Sequence, residues 1–211
     1  MTPVEGALLE PLGVAIHTVD LAKLRVGETV AVLGAGSIGL LTATMAQSAG
    51  AGAIYMSEPL AYRRDFAQRY IGGHGIPFAI YDPTVDDVVT AILEETGGRG
   101  VDVAFEAAGA SLTPDQAAQI TRPGGRVIVV GIPDDDTMMM TASVVRRKGL
   151  TIKLVRRMKH TYPRAIQLAL SGAVDVAPLA THVFPLEETG RALDVVDRHD
   201  DGVLKAMIQV N

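Results

Sequence analysis

The run TVAVLGAGSIGLLTATMAQSAGAGAIYMSEP, residues 29–59, limits the fold more than any other part of the chain. From Thr29 through Ser57 it holds no charged side chain, and five glycines interrupt it. An apolar segment of about 20 residues is long enough to cross a bilayer. The order of the residues argues against that use. Residues 30–33 form a short β-branched run behind the turn-like RVGE, the pattern of a buried strand. Gly34, Gly36 and Gly39 follow at once. Residues 40–48 contain helix formers and no proline, and Gly50 and Gly52 supply a double stop. Residues 53–57 read as a second strand, closed by Glu58 and Pro59. A spanning helix has no need of glycines crowded at one end or of a stop in its middle, so no membrane span is expected.

The same alternation continues. Residues 78–82 read as a third strand. Val85, Val88, Val89, Ile92 and Leu93 fall at helical spacing, with Thr84 as the expected cap, Asp86 and Asp87 in the first turn and Gly97-Gly98 as the stop. Residues 101–109 are a fourth strand, and Thr113-Pro114 opens another helix. Arg122-Pro123-Gly124-Gly125 reads as a turn, residues 126–132 as a fifth strand buried on both faces, and residues 150–155 as a sixth. Strands alternating with helices predict an α/β fold, a doubly wound parallel six-stranded sheet with helices on both faces. The rhythm is lost at both ends. Residues 5–24 read as one amphipathic helix. Beyond Val155 come a helix near residues 163–171, a loop at 175–184, a helix near 186–197 and a last strand at 203–210. These outlying pieces are expected to be remnants of a second domain. The expected division is a linking helix at 1–24, a nucleotide-binding domain at 25–157 and a C-terminal remnant at 158–211.

Gly34-x-Gly36-x-x-Gly39 has the spacing of a dinucleotide-binding turn. The first glycine permits a tight turn off the strand, the second lets a pyrophosphate approach the backbone, and the third lets helix and strand pack closely. Ser37 and Ile38 begin the helix whose unpaired N–H groups and positive dipole end suit the phosphates. Glu58 stands nineteen residues after Gly39, where an acid receives the ribose hydroxyls. This context identifies a Rossmann nucleotide domain; the bland reading, a tight turn without a ligand, stays open. A carboxylate at 58 repels a 2′-phosphate and so favours NAD over NADP. Arg63 and Arg64 argue the other way, because a guanidinium pairs with that phosphate.

Composition removes several other functions. The formal net charge of −5 suggests no nucleic-acid partner, and the chain's lack of cysteine excludes thiolate metal sites and disulfides within it. The start, MTPVEGALLEPLG, has no basic segment and is interrupted by Glu5 and Glu10, so a cytoplasmic setting is expected. His17 with Asp20 reads first as a helix-surface pair, and Glu106 as a hydrogen-bonded structural acid near a strand end. Arg156, Arg157, Lys159, His160 and Arg164 form a basic cluster with no aromatic row for base stacking. Met138, Met139 and Met140 suit a pocket, a subunit contact or core filling. His182 suggests a loop hydrogen bond.

The segments EGALLEPLGVAIH, VLGAGSIGLL, VDVAFEAAG, GGRVIVVGI and THVFPLEE occur in an order and at a spacing that resemble the medium-chain, zinc-type alcohol dehydrogenases, on the sorbitol and polyol dehydrogenase branch. The resemblance covers nearly the whole chain. It implies that Gly34, Gly36, Ser37, Ile38 and Gly39 meet the pyrophosphate and that Glu58 and Arg63 hold the adenosine ribose. It implies that Val130, Gly131 and Ile132 face the nicotinamide ribose, and that Leu154, Val155 and Arg156 meet the carboxamide. Glu10 matches an acid that reaches the catalytic zinc or its bound water and substrate; Arg156 matches a residue that also binds a polyol. The expected activity is hydride transfer between a secondary alcohol or polyol and NAD. Zinc belongs to the intact relatives, whose metal-binding domain has no counterpart in these residues, so little turnover is expected from the chain alone. Arg157 departs from the tyrosine usual in the polyol enzymes. A non-catalytic NAD-binding or assembly module is the alternative. A homo-oligomer, a dimer or higher, is expected through the edge of the sixth strand, with Lys153 projecting from it. The apolar residues Leu8, Leu9, Leu12, Val14 and Ile16, and Leu204, Ala206, Ile208 and Val210, are expected to be uncovered.

Overall fold

The computed structural model describes residues 1–73, 75–133 and 135–210. Among them, six strands form one parallel sheet: β1 (Thr29–Leu33), β2 (Ala53–Ser57), β3 (Phe78–Tyr81), β4 (Val101–Glu106), β5 (Thr121–Val129) and β6 (Thr151–Leu154). Their spatial order is β3-β2-β1-β4-β5-β6, so the winding reverses between β1 and β4. The helices are α1 (Pro3–Ala22), α2 (Ser37–Ser48), α3 (Ala61–Tyr70), α4 (Val88–Glu95), α5 (Thr113–Ile120), α6 (Ala142–Lys148), α7 (Tyr162–Leu170) and α8 (Thr189–Asp197). Two further strands, β7 (His182–Pro185) and β8 (Ala206–Gln209), pair in parallel as a separate small sheet. No helix among the described residues is long and apolar enough to cross a membrane.

The uncharged run is explained by burial on both faces of the sheet. Val30, Val32, Ile54, Met56, Val103, Phe105 and Ile128 point into one core, which α1 and α2 share. Ala31, Leu33, Tyr55, Ala104, Val127 and Val129 point into the other, closed by Val88 and Ile92 of α4 and Ala117 and Ile120 of α5. Strands covered on both sides read as continuous apolar runs, without the polar alternation of a half-exposed sheet.

α1 starts in a capping box: the Thr2 hydroxyl accepts from the Glu5 N–H, and the Glu5 carboxylate accepts from the Thr2 N–H. The helix is not uncovered. Leu8 and Leu12 are fully buried, and Leu9 and Ile16 nearly so, against the core that also holds Ala165 of α7, Leu179 and Leu204. Each such leucine contributes about 1.5–3 kcal/mol by leaving water. The expected apolar patch on this helix is therefore corrected: α2 and α7 cover it. Lys153 is corrected as well. Its Nζ lies 2.8 Å from the Leu21 carbonyl, and Arg126 Nη1 reaches the carbonyls of Ala22 and Lys23 at 2.8 and 2.9 Å. Both cations serve the C-terminal end of α1, where unpaired carbonyls and the negative dipole end attract them.

Other departures have local causes. α3 joins β2 to β3 where no helix was expected, because AYRRDFAQRY is polar almost throughout and buries only Ala67. α6 buries none of its residues and gives no periodic signal. α4 begins at Val88, with Asp87 as its cap accepting from the Thr90 N–H, because the Asp82 carboxylate takes Thr84 into a turn. The residues of the expected turn at 122–125 belong to β5, across a register shift between Val101 and Val103. The expected loop at 175–184 carries the start of β7, where Phe184 turns inward and Val183 outward. The last strand is shorter than expected, starting at Ala206.

At the N-terminal edge of the sheet, buried Asp102 ties three segments together. Its carboxylate accepts from Arg99 Nη2 at 2.7 Å, Arg122 Nε at 2.6 Å and both the N–H and hydroxyl of Thr29 at 3.0 Å. Burial alone would raise this carboxyl's pKa; the hydrogen bonds from Arg99, Arg122 and Thr29 outweigh it and hold the group well below the usual carboxylate range. A depressed carboxylate contributes stability above its unfolded value, near 3.8, and loses it as pH falls through the folded value. Asp102→Asn is expected to cost about 2 kcal/mol at neutral pH, with the gap to the parent closing between about pH 5 and pH 1 in urea titrations.

Candidate functional site

Register brings the strand ends level. Leu33 of β1 lies opposite Ser57 of β2 and Glu106 of β4; Glu106 lies opposite Val129 of β5, and Val129 opposite Leu154 of β6. The ladder then continues one bond further at each strand. The N–H groups of Gly34, Ala107, Val130 and Val155 donate to the carbonyls of Ser57, Leu33, Glu106 and Val129, each at 2.8 Å. Gly34, Glu58, Ala107, Val130 and Val155 are thus first residues beyond one common row, at the winding reversal where open α/β sheets bind ligands.

The three motif glycines are under different constraints. Gly34 has φ +101°, and a Cβ there would sit 3.0 Å from the Ala107 backbone. A Cβ at Gly39 would lie 2.0 Å from the Gly34 carbonyl oxygen. Both glycines are therefore required by the fold itself. Gly36 has an ordinary φ of −70°, and a Cβ there would meet only Arg63 Nη1, at 3.9 Å. The protein does not need a glycine at 36. The space above it opens into a cavity of about 450 Å³ lined by Gly34, Gly36, Glu58, Arg63, Thr113, Gln116 and His199, among others. Gly36 caps α2 without a side-chain bond, and the ladder begins with Leu40 donating to the Gly36 carbonyl. The N–H groups of Ser37, Ile38 and Gly39 are those a helical ladder leaves over.

Glu58 is 3% exposed. One carboxylate oxygen accepts from the Ala35 N–H at 2.8 Å and the other from the Leu60 N–H at 3.1 Å, so the acid is fixed against the glycine turn. Arg63 Nη1 stands 4.0 Å from it. Arg64 is engaged elsewhere: Nη2 pairs with Asp82 at 2.7 Å, and Nη1 donates to the carbonyls of Glu58 and Pro59. Arg64 is thereby removed as a candidate for a 2′-phosphate. Glu106, 1% exposed, accepts from the N–H groups of Ala108 and Gly109 and from the Thr113 hydroxyl, at 2.9, 2.8 and 2.7 Å. It is a structural acid that shapes the turn against which Gly34 packs. A Cβ at Gly131 would fall 2.5 Å from its other oxygen.

The remaining candidates divide. Val130, Gly131, Ile132, Leu154, Val155 and Arg156 sit just past β5 and β6 or at their ends, away from the cavity lining; Ile132 and Leu154 are 86% and 66% exposed. Glu10 and Arg156 are exposed, and neither side chain pairs with a described residue. Among the described residues, no three His, Asp or Glu side chains gather as metal ligands, so Glu10 stands alone and the donor set does not fit zinc. Asp20 pairs with Arg164 rather than with His17, whose imidazole is pushed down by burial against the pull of Asp20. Met138 and Met139 are exposed, while Met140 packs on the second core. His182 bonds Thr181 at 2.9 Å and Asp201 at 3.3 Å, from β7 rather than from a loop. Sequence reasoning missed His199, whose Nδ1 lies 3.3 Å from Arg63 Nη2 across 136 positions of chain; nothing local to it signals the contact.

Residues 37–171, more than half of the chain, match the family described as zinc-binding dehydrogenases. The chain belongs to that family. It is 31% identical over 207 residues to sorbitol dehydrogenase from Bacillus subtilis, covering 98% of this chain and 57% of the relative. It is 35% identical over 193 residues to L-threonine 3-dehydrogenase from Caldanaerobacter subterraneus, covering 90% and 54%. Among solved structures, 2R,3R-butanediol dehydrogenase from Bacillus subtilis superposes with a TM-score of 0.88 at 30% identity, covering all of this chain and 59% of its own. A family member from Sinorhizobium meliloti solved bound to NADP gives a TM-score of 0.88 at 30% identity, covering 100% and 60%. The chain therefore spans just over half the length of these relatives.

The glycines can be told apart by stability. Gly39→Ala is expected to cost more than about 2 kcal/mol, because backbone cannot yield to a contact this short. Gly36→Ala should cost under about 1 kcal/mol, the loss of a favourable glycine N-cap with no steric conflict. Urea midpoints of the two variants check this; equal losses would contradict the assignment.

Proposed function

We propose that this zinc-binding dehydrogenase chain binds NAD and is the cofactor-holding portion of an enzyme that transfers hydride between a secondary alcohol or polyol and NAD. The observation that carries the reading is the open space over Gly36, a glycine that the protein's own packing does not require. In this reading a pyrophosphate approaches the backbone there and accepts from the N–H groups of Ser37, Ile38 and Gly39. Glu58, already fixed by Ala35 and Leu60, accepts from the ribose hydroxyls, with Arg63 beside it. Val130, Gly131, Ile132, Leu154, Val155 and Arg156 border the nicotinamide end. Bound in this way, the nicotinamide supplies a hydride acceptor at C4. NAD is preferred to NADP, because Glu58 repels a 2′-phosphate and Arg64 is held by Asp82.

The proposed division is a linking helix at residues 1–24, a nucleotide domain at 25–157 and a remnant of the catalytic domain at 158–211. Supporting it, every strand of the large sheet lies within 25–157, while β7 and β8 form their own sheet. Glu10 and Arg156 are proposed substrate-side residues, and Glu10 a contributor to a metal site completed elsewhere. Among the described residues no set of metal ligands gathers around Glu10, so little alcohol oxidation is expected from these residues alone, and no step is assigned to a metal. A cytoplasmic setting and self-association through β6 belong to the same proposal. β6 is a sheet edge, and edges offer unpaired N–H and C=O groups to a second copy.

Calorimetry tests the cofactor assignment. The parent should bind NADH and prefer it to NADPH. Gly36→Val should fold but lose at least about tenfold in NADH affinity, as one misplaced contact of about 1.4 kcal/mol implies. Equal affinity in variant and parent would sink the assignment. For association, sedimentation should show a dimer at micromolar concentration. Ile152→Pro, which removes a ladder donor on β6, should give folded monomer; a folded dimer would place the contact elsewhere.

A further inference from the structure

Three contacts pin the stretch between α8 and β8 to the rim of the nucleotide cavity. Tyr62 Oη donates to the Val203 carbonyl at 3.0 Å, Ser37 Oγ donates to the Leu204 carbonyl at 3.2 Å, and Arg63 Nη2 meets His199 Nδ1 at 3.3 Å. The first two are bonds to backbone and would serve any sequence there. The third is specific to the side chain. His199 has φ +55°, a left-handed conformation that places its ring at the cavity instead of continuing α8. Arg63 is thus held between two groups: Glu58 Oε1 at 4.0 Å from Nη1, and the imidazole at Nη2. Its Nε is buried and bonds to no described residue.

We infer that His199 is a specificity-determining residue of the nucleotide site, positioning Arg63 so that its guanidinium is withheld from a 2′-phosphate. The inference rests on the proposed NAD site. A guanidinium has only donors, so the contact at 3.3 Å is a hydrogen bond only when Nδ1 carries a lone pair. That describes a neutral imidazole with its proton on Nε2. In this state Arg63 is shared between Glu58 and His199, and the ribose meets a carboxylate whose cation is already engaged.

Of the charged groups nearby, Arg63 of α3 meets the ring, and Glu58 at the end of β2 stands 4.0 Å from Arg63. Arg198 and Asp200 adjoin His199 in sequence, and Asp201 is directed to His182 Nε2 at 3.3 Å. Thr113 and Gln116 border the cavity from α5 without charge.

Two variants test the acceptor, and both tolerate the left-handed backbone. His199→Gly removes it; His199→Asn keeps an acceptor oxygen. Affinities of the full 211-residue chain for NADH and NADPH are measured by calorimetry at pH 8. His199→Gly should raise the NADPH-to-NADH affinity ratio about fivefold or more over the parent, the gain from releasing one charge-assisted donor. His199→Asn should keep the parent's ratio. In the Arg63→Ala background, His199→Gly should have no effect on the NADPH-to-NADH ratio. An unchanged ratio in His199→Gly, or equal losses for both cofactors, would overturn the role of His199 while leaving NAD binding intact. A parent that binds neither cofactor would overturn both.

Discussion

The contact between the start of α2 and the end of β1 sets the position of everything else in the site. It is backbone against backbone, closer than any Cβ permits at Gly39, and it turns through a positive φ at Gly34. Because this contact has no side chain to adjust, the first turn of α2 is aimed with the rigidity of the sheet. Two buried acids copy that rigidity outward. Glu58 grips the turn through the Ala35 N–H, and Glu106 grips the neighbouring turn through Ala108, Gly109 and Thr113. Buried carboxylates are costly unless their lone pairs are taken. Here backbone N–H groups and the Thr113 hydroxyl donate to them, so the cost of burial is offset by fixing the loops around the cavity.

How much of this could be read from the chain follows from how local each signal is. The six strands, the glycine turn and Glu58 are encoded within a few residues of themselves: an apolar run, a spacing, an acid at a strand end. They were legible. α3 and α6 were not, since one is nearly all polar and the other buries nothing, and the parallel pairing of β7 with β8 joins segments more than twenty positions apart. Thr84 looked like a cap because it precedes an apolar period; the Asp82 side chain, not visible as a competitor in the pattern, claims it instead. Lys153 looked like an outward edge charge because strands alternate; the end of α1 beneath it supplies carbonyls that the pattern does not show. Of the candidate site, Gly34, Gly36, Glu58 and Arg63 converge on one cavity, whereas His199 reaches it only through the tertiary fold.

The ends of the chain are not appendages to the sheet. α1 and the segment from α7 to Leu204 share the first core with β1, β2, β4 and α2. Burial of Leu8, Leu12, Leu179 and Ala165 links their folding to that of the sheet, so any change there moves the cavity's rim as well as the stability of the whole. That link is why a residue of the C-terminal segment can stand beside an arginine of α3.

If the first turn of α2 receives a pyrophosphate, titration of the isotope-labelled chain with NADH should shift most the amides of Ser37, Ile38 and Gly39, followed by Ala35 and Leu60, whose N–H groups are held by Glu58. Saturable binding whose shifts leave these five amides unmoved, or no binding at millimolar NADH, would contradict it.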